Sequence, residues 1–388
     1  MNPKPFNLYK NIVALVVFVL ALSIVSCKKA DTPASPQQLS EFKTQKVKRL
    51  KDYNLRMLAA NKTGYGASHV IPSLQNAWGI AWSPTGIAWT GSEAGSVSNV
   101  MDSVGNPNPG LNPVNIVSST SATGGHPTGT VFNPKSTDFL IPSGNASAMQ
   151  AARFIFVGDD GVVSAWNGTW GHNTYRVAAN DASYTGLTLA TYNGNNYLYA
   201  ANFASGHIEV WDRSWAAVNW MSFTDPGLPA GYSPFNIQVV ADKLFVMYDK
   251  VGADGDEVHA VGLGLVDVFT TGGTFVQRFA TGGSLNAPWG VAMAPVEFYK
   301  DDADSDAGPA ILVGNFGDGH INAYRASNGK FLGQLSMHNT PITIDGLWSI
   351  SFAPSTSSIN HNLLYFTAGP DNEQDGLFGY ITRDKDDD

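Results

Sequence analysis

The sequence predicts an all-β protein, a six-bladed β-propeller, because one pattern of short strands recurs along it. Each repeat opens with a short apolar segment, continues through a second apolar run, and reaches a third strand after a glycine-containing turn. The openings begin 50, 57, 50, 54 and 59 residues apart, and a period near 50 made only of strands is typical of propeller blades. The six openings start at Trp78, Thr128, Thr185, Phe235, Trp289 and Trp348.

The second strands and the turns that follow them align as well as the openings do. Second strands such as 154–157 (FIFV) and 311–314 (ILVG) are continuous apolar runs, which suits sheets covered on both faces. Turns such as 159–161 (DDG) and 317–319 (GDG) contain glycine, which supplies the positive φ that tight hairpins need. No stretch between Trp78 and Ile381 carries a long apolar stripe at helical spacing, so helices are not expected.

The ring is predicted to close with strands from both ends of the chain. Too few residues remain after Ile381 to complete the sixth blade, and Asn54–Ala59 (NLRMLA) can supply the missing strand. This pairing leaves no exposed sheet edge between the first and last blades. We therefore expect the propeller to span residues 51–383, followed by an acidic tail at 384–388.

Composition and charge exclude some classes of protein. A length of 388 residues would suggest two or three domains, but a closed ring of blades is one domain whatever its size. Hydrophobic residues make up 43% of the chain, which is ample for a core. Because 32 Asp and Glu outnumber 23 Lys and Arg, the formal charge is −9 and the surface should repel phosphate backbones. We expect no nucleic-acid partner.

Residues 1–26 have the features of a bacterial lipoprotein signal peptide. Lys4 and Lys10 precede an uncharged apolar stretch at 12–25, which is short for the roughly 30 Å core of a bilayer. Cys27 is the only cysteine, and the preceding Ile-Val-Ser resembles a lipobox, so we predict that Cys27 is lipidated. A plain signal peptide or a membrane anchor is the alternative. Residues 27–50 then form a flexible tether, and Lys28-Lys29 favours the outer membrane, facing the periplasm or the surface.

Strand order predicts which polar residues share one end of the propeller. In an up-and-down blade the start of strand one and the end of strand two lie at the same end, and strand one lines the central channel. Residues at these positions should ring one mouth of the channel as a ligand-binding rim. Those at strand-one starts are Asn76, His126, Asn236, Asn286 and Asp345. Those after strand two are Glu93, Asp159, Asn202, Asp249, Asn315 and Asp371.

Local catalytic motifs are absent from the sequence. It contains no nucleophile elbow, zinc-protease helix, P-loop or dinucleotide fingerprint, and no two of its eight histidines have zinc-pair spacing. Oxygen ligands from several blades would suit Ca²⁺ at the mouth, although Asn and Asp equally cap turns and satisfy loop backbones. His126 is the histidine placed at the mouth, whereas His207 and His320 are interpreted as hairpin residues.

Two acidic segments contain partial calcium motifs, and three tryptophans lie where they could contact a ligand. Asp302, Asp304 and Asp306 alternate as in a calcium loop, but no bidentate glutamate follows and they fall on the face opposite the mouth. That segment and 254–257 (DGDE) are interpreted as solvated insertions, with a structural calcium site as the alternative. The tryptophans at positions 78, 289 and 348 could stack on a sugar ring, but packing between blades is the preferred interpretation.

Several motifs occurring together resemble a bacterial family of exported, propeller-like proteins. They include LPAGYSPFNI (228–237), NAPWGVA (286–292), LVGNFGDGHINA (312–323) and IDGLW (344–348). The resemblance covers about residues 54–381 and implies a propeller without an established activity. More distantly, the blades resemble NHL-type and gluconolactonase-like six-bladed propellers. The latter hold a divalent cation with Glu, Asn and Asp, a ligand set that does not map residue by residue onto this chain.

Two functional hypotheses follow. The first is a membrane-anchored, extracytoplasmic lipoprotein that binds a ligand or protein partner, such as a carbohydrate or an envelope protein, as a monomer. The second is a divalent-metal-dependent hydrolase of lactonase type, with Asp345 or His126 as the base at the mouth. Convergence of three or more of the named oxygen ligands within about 2.3–2.6 Å of one point would favour the second hypothesis. The second hypothesis fails if aromatic side chains plug the mouth or if its carboxylates point outward.

Overall fold

The computed structural model describes residues 49–144, 146–299 and 308–383. In these ranges the chain is all-β, with one 3-10 turn at Gly168–Trp170, and six sheets form the blades of a propeller. The predicted fold class is therefore confirmed. None of the described segments forms a helix long and apolar enough to cross a membrane. The signal segment, Cys27, the tether up to residue 48, Asp302, Asp304, Asp306 and the tail at 384–388 lie outside the described residues.

The first half of the ring is formed by short strands in chain order. The N-terminal segment contributes β1 (Arg49–Leu50), β2 (Tyr53–Ala60) and β3 (His69–Val70). Blade one contains β4 (Ala77–Trp82), β5 (Ala88–Ser92), β6 (Val97–Met101) and β7 (Val114–Asn115). In chain order, blade two and its inserted hairpin contain β8 (Pro127–Phe132), β9 (Leu140–Ser143), β10 (Ala146–Ala151), β11 (Phe154–Gly158), β12 (Val162–Trp166) and β13 (Tyr175–Ala179). The inserted hairpin is β9 with β10. Blade three has three strands, β14 (Tyr184–Tyr192), β15 (Asn195–Asn202) and β16 (His207–Asp212).

The second half of the ring continues the same meander. Blade four contains β17 (Tyr232–Val240), β18 (Lys243–Lys250), β19 (Leu265–Thr270) and β20 (Phe275–Thr281). Blade five contains β21 (Pro288–Met293), β22 (Ala310–Asn315), β23 (Ile321–Arg325), β24 (Phe331–Met337) and the short β25 (Thr340–Pro341). Blade six contains β26 (Leu347–Phe352), β27 (Leu364–Ala368) and β28 (Leu377–Arg383), to which β2 is added. The first strands of neighbouring blades contact one another around the whole ring, which places them innermost.

Both ends of the described chain build the closure. β2 runs antiparallel to β28, with Tyr53 opposite Arg383 and Ala60 opposite Leu377. Just before it, β1 pairs in parallel with β24 on blade five. The predicted closing strand is therefore confirmed, and the same N-terminal segment also ties blade five to blade six.

Apolar side chains fill the interfaces between blades because each sheet has a neighbour on both faces. Trp89 stacks on Phe154 between blades one and two, with ring centroids 4.1 Å apart. Trp82 meets Tyr365 edge-on between blades six and one, at 4.7 Å. Double coverage explains why the strands are continuous apolar runs and do not alternate with polar residues.

Glycine at the second position of four openings lets the inner strands approach closely. A Cβ on Gly79 would lie 2.8 Å from the backbone oxygen of Thr128, and one on Gly290 would lie 2.7 Å from that of Trp348. Gly129 and Gly186 stand equally close to the backbone of the next inner strand. Such distances exclude a side chain, so neighbouring inner strands lie against each other without intervening side chains at this level.

Candidate functional site

The mouth of the channel gathers carboxylates and histidines from four blades. Each lies at a strand-one start or in a loop after strand two, where the meander brings chain segments to one end. They are Glu93 from blade one; His126, Asp159 and Asp160 from blade two; Asp249, Glu257 and His259 from blade four; and Glu373 from blade six.

Glu93, His126 and Asp159 form one compact triad. Glu93 directly follows β5, Asp159 directly follows β11, and His126 directly precedes β8. Nδ1 of His126 lies 2.6 Å from Oε1 of Glu93 and 3.8 Å from Oδ1 of Asp159. One donor atom from each side chain lies within 4.8 Å of the others, and the triad is the one such group of three within the described residues. The side chains are 14%, 48% and 37% exposed, respectively, so solvent reaches the triad.

Asn76 links the triad to two side chains of blade six through hydrogen bonds. Its Nδ2 donates to Oε2 of Glu93 at 2.9 Å and to Oε2 of Glu373 at 2.7 Å, while its Oδ1 accepts from Nε1 of Trp348. Every hydrogen-bonding atom of this buried amide is therefore engaged by side chains from blades one and six. Asn76 adopts a φ of 44°, a left-handed conformation that asparagine tolerates better than most residues. It positions Glu93 and Glu373 side by side.

Crowding of negative charge sets the protonation of the triad. Burial, with repulsion from Glu93, raises the pKa of Asp159 to about 7. Burial also raises the pKa of Asp160. For His126, burial alone would lower the pKa, but the attraction of Asp159 and Glu93 outweighs it and the pKa is raised. At neutral pH the triad therefore retains protons that a bound cation would displace.

A second group lies on blade four. Asp249 is fully buried, and burial raises its pKa to about 7, with further repulsion from Glu257. Glu257 accepts from Nε2 of His259 at 3.1 Å, and the imidazole of His259 packs edge-on against the ring of Phe316. Burial raises the pKa of Glu373, and repulsion from Glu257 and Glu93 raises it further. The blade-four group and the triad therefore share one acidic field.

An aromatic plug closes the channel beneath the mouth. Trp78 stacks on Trp348 at 3.4 Å, and Trp348 stacks in turn on Phe316 at 3.8 Å. Trp78 also meets Trp289 at 6.0 Å, although blades one and five are not neighbours, so these rings meet at the channel axis. All four side chains are buried, which excludes sugar stacking on them in this state. The tryptophans therefore pack between blades, as predicted, but they also join blades that are not neighbours by meeting across the axis.

The remaining predicted mouth residues have separate local partners. Asn202 caps its own turn through Ser205 and donates to Glu209, and Asn236 donates to the backbone oxygen of Trp289. Asn315 donates to Ser284 and Asp318, and Asn286 packs against Gly317. Asp345 is exposed and accepts from the backbone N–H of Asp371. Of the predicted set, Asn76, Glu93, His126 and Asp159 converge on one cluster, and the six others named here do not join it.

Sequence reasoning missed Glu373, Glu257 and His259 as mouth residues. Glu373 is turned inward by three consecutive positive φ values at positions 371–373 of 59°, 53° and 65°, which a strand pattern does not reveal. Glu257 and His259 lie in the long loop of blade four, whose acidic part was interpreted as a solvated insertion. A better signal would have been the close spacing of Glu257 and His259 within one loop that begins at the mouth.

The donor set of the triad fits a divalent transition metal. One imidazole nitrogen and two carboxylate oxygens are ligands that Zn²⁺ accepts, and three protein ligands leave positions open for water or a ligand. Ca²⁺ prefers oxygen ligands alone and takes six to eight of them. Small side-chain movements would spread the 2.6 Å contact of His126 and Glu93 to the separation that two ligands of one ion require.

Comparison with solved structures gives only distant likeness. Virginiamycin B lyase from Staphylococcus aureus aligns with a TM-score of 0.44 and 13% identity, covering 85% of this chain and 99% of that chain. A streptogramin B lyase aligns with a TM-score of 0.45 and 13% identity, covering 86% and 98%. These values carry no argument about activity, and the assignment of the fold rests on the strand pairing described above.

Comparison of sequences finds viral relatives. No family model matches the chain. Uncharacterized protein R648 of Acanthamoeba polyphaga mimivirus is 29% identical over 346 residues, covering 86% of this chain and 81% of that protein. Uncharacterized protein L690 of the same virus is 30% identical over 333 residues, covering 82% and 83%. Because these relatives come from a giant virus, membership of the exported bacterial family stays a prediction. The chain belongs to the same protein family as mimivirus protein L690.

Proposed function

We propose that this protein is an exported, lipid-anchored propeller that binds its ligand through a divalent cation held by Glu93, His126 and Asp159. One observation carries the proposal: three ligand-type side chains from two blades lie within 4.8 Å of one another at a solvent-accessible mouth. The expected ligand is rich in oxygen, such as a carbohydrate or the carboxylate of an envelope protein, because such groups can complete a cation's coordination.

Electrostatics support a cation at this position. Burial raises the pKa values of Asp159, Asp160 and Glu373, and repulsion from neighbouring carboxylates raises those of Asp159 and Glu373 further. A divalent ion would relieve this repulsion, and its binding would release the shared protons. The aromatic plug forms a rigid floor beneath the site, so ligand would approach from solvent.

A lactonase-type hydrolase is the second candidate. The observation that favours it is a partly exposed carboxyl group, Asp159, whose pKa of about 7 suits proton transfer at neutral pH. A bound cation would supply Lewis acidity toward an ester carbonyl. His126 lies in the triad and could hold a proton, whereas Asp345 lies in a separate cluster beside Asp371.

A thermal-unfolding experiment tests the cation site. The full-length protein is stripped with a chelator and then titrated with ZnCl₂ or CaCl₂. At a concentration near 100 times the dissociation constant, Zn²⁺ should raise the unfolding temperature by roughly 3–5 °C, because binding contributes about 2.7 kcal/mol. Ca²⁺ should give a smaller shift.

Matched variants give the control. His126→Gln and Asp159→Asn should each abolish the Zn²⁺ shift, while His320→Gln, which changes a histidine at a hairpin, should preserve it. A Zn²⁺ shift that survives in both triad variants would refute the site. Metal-dependent turnover of simple γ- and δ-lactones would select the hydrolase. Zn²⁺ binding without turnover of them would favour the binding module.

The lipid anchor is tested separately from the mouth. Cys27→Ala should release the protein from bacterial membranes into the soluble fraction, because no other cysteine can carry the lipid. Continued association of the variant with membranes would contradict the lipobox interpretation, without bearing on the cation site.

A further inference from the structure

We infer that the opposite end of the channel is a second binding site, and that it takes a neutral polyhydroxylated ligand such as a sugar ring. A cavity of about 390 Å³ lies there. Its lining includes Trp82, Phe132, Val239 and Pro354, which lie within one or two residues of the ends of inner strands. Because inner strands begin at the mouth, these residues place the opening on the other face of the ring.

The cavity is blind and separate from the mouth. Gly79, Gly129 and Trp289 line it at its inner end, where the inner strands approach most closely and the aromatic plug begins. None of the triad residues lines it. Binding there is therefore independent of the cation site, and each site can fail without the other.

The wall of the cavity carries no charged residue. The absence of charge in the wall contrasts with the several carboxylates at the mouth and with the net charge of −9 of the chain. An ionised ligand would lose hydration there and meet no opposite charge, so the cavity should bind it more weakly than a neutral one. The polar side chains of the wall are hydroxyls and amides: Thr130, Thr188, Asn236, Gln238, Ser349 and Ser351.

Backbone groups add donors and acceptors to this wall. In an antiparallel sheet alternate N–H and C=O groups of an edge strand point away from its partner, and here the inner strands are the edges that face the channel. The N–H of Val239 is one such group, and it donates to Oγ1 of Thr188 across two blades. A sugar hydroxyl both donates and accepts, so it matches a wall that offers both.

Two polar side chains of the wall are open to a ligand. Gln238 and Ser351 are partly exposed, whereas the hydroxyl of Thr130 is buried against Gly91 of β5. Trp82, which is not part of the plug, also lines the cavity, and the C–H face of a sugar packs well against an indole. The volume lies within the range of about 300–1,000 Å³ that is usual for small-molecule sites. It accommodates a monosaccharide or the end of a glycan chain.

Saturation-transfer NMR with the full-length protein tests the inference. The probes are D-glucose, D-galactose and N-acetyl-D-glucosamine, with D-glucuronate and D-glucosamine as charged counterparts. At least one neutral sugar should bind with a millimolar dissociation constant, and the change that it causes in tryptophan fluorescence should be lost in a Trp82→Phe variant. Its charged counterpart should bind at least about tenfold more weakly, because its charge would be buried unpaired.

Two cavity variants and one mouth variant complete the test. Gln238→Leu and Ser351→Ala keep the volume nearly constant and should each weaken sugar binding about tenfold or more, because both side chains are partly exposed in the wall. Asp159→Asn should leave sugar binding unchanged while it abolishes the Zn²⁺ shift. The inference is overturned if no neutral sugar binds, if charged counterparts bind equally well, or if folded cavity variants bind like the parent protein.

Discussion

The two ends of the channel are formed by the same six inner strands, yet one is acidic and the other is uncharged. At the mouth, loops after strand two project Glu93, Asp159 and Glu373 over the rim. At the opposite end, the cavity wall is made mainly of the strands themselves, with hydroxyls, amides and backbone groups. The comparison indicates that in this ring the strands determine shape and the loops determine charge.

The aromatic plug separates these two environments. Trp348 is its centre, because it stacks between Trp78 and Phe316 and also donates to Asn76. The same ring therefore contacts the apolar axis below and the polar mouth above. Loss of this one side chain should connect the two ends.

The largest expected effect is that of Trp348→Ala. Removing a fully buried indole should lower the free energy of unfolding by about 3–5 kcal/mol, measured by urea denaturation. Because Asn76 would lose its indole partner, the Zn²⁺ shift at the mouth should also decrease.

Trp220→Ala is the matched control, since this indole is 59% exposed. It should change the free energy of unfolding by less than about 1 kcal/mol. If Trp348→Ala and Trp220→Ala lower the free energy of unfolding equally, the plug does not stabilise the ring. The comparison of two separated ends then loses its basis.

An intermediate effect is expected from pH, and it should come from the mouth. The pKa of Asp249 is about 7 in the folded protein and near 4 when unfolded, so the folded state binds the proton more tightly. This contribution to stability is complete below pH 4 and is lost as pH rises through 7. Asp249→Asn should therefore be about 1–2 kcal/mol more stable than the parent at pH 8 and nearly equal at pH 4. Urea denaturation at both values measures this.

Asp159 and His126 have raised pKa values too, so they add to the same loss of stability above neutrality. The uncharged cavity contributes nothing to this change of stability with pH, and sugar binding there should be constant from pH 5 to 8. A cavity whose affinity changes steeply over that range would contradict its neutral character.

The smallest expected effect is that of His126→Gln on stability without metal. The side chain is half exposed, so its ion pair with Glu93 should contribute less than about 1 kcal/mol. Urea denaturation in chelator should show this small change while the Zn²⁺ shift disappears. A loss of several kcal/mol would indicate that the triad is structural and not a binding site.

The architecture could be predicted because it depends on repeated local signals. The spacing of the openings predicts six blades, and the shortage of chain after Ile381 predicts the closing strand, which pairs as β2 with β28. Strand order alone predicts that Asn76, Glu93, His126 and Asp159 lie at one mouth. Their contact could be inferred because a meander returns the chain to the same end after two strands.

The remaining features depend on backbone conformations and contacts that have no local signature. Glu373 reaches Asn76 through three left-handed residues, and Asp371, two positions earlier, points away to Lys62. The plug joins tryptophans from blades that are far apart in sequence and not adjacent in the ring. Pattern analysis could locate these tryptophans at strand starts, but the axis on which they meet is defined only by closure.

Closure by β2 also imposes an order of events on synthesis. The strand that completes the last blade is made first, and its partner, 377–383, is made last. At about 5–20 residues per second, β2 waits roughly 15–60 s for that partner while five blades emerge. During this interval β2 is an unpaired apolar strand that can pair wrongly, so assembly of the ring depends on keeping its first-made strand free until the end.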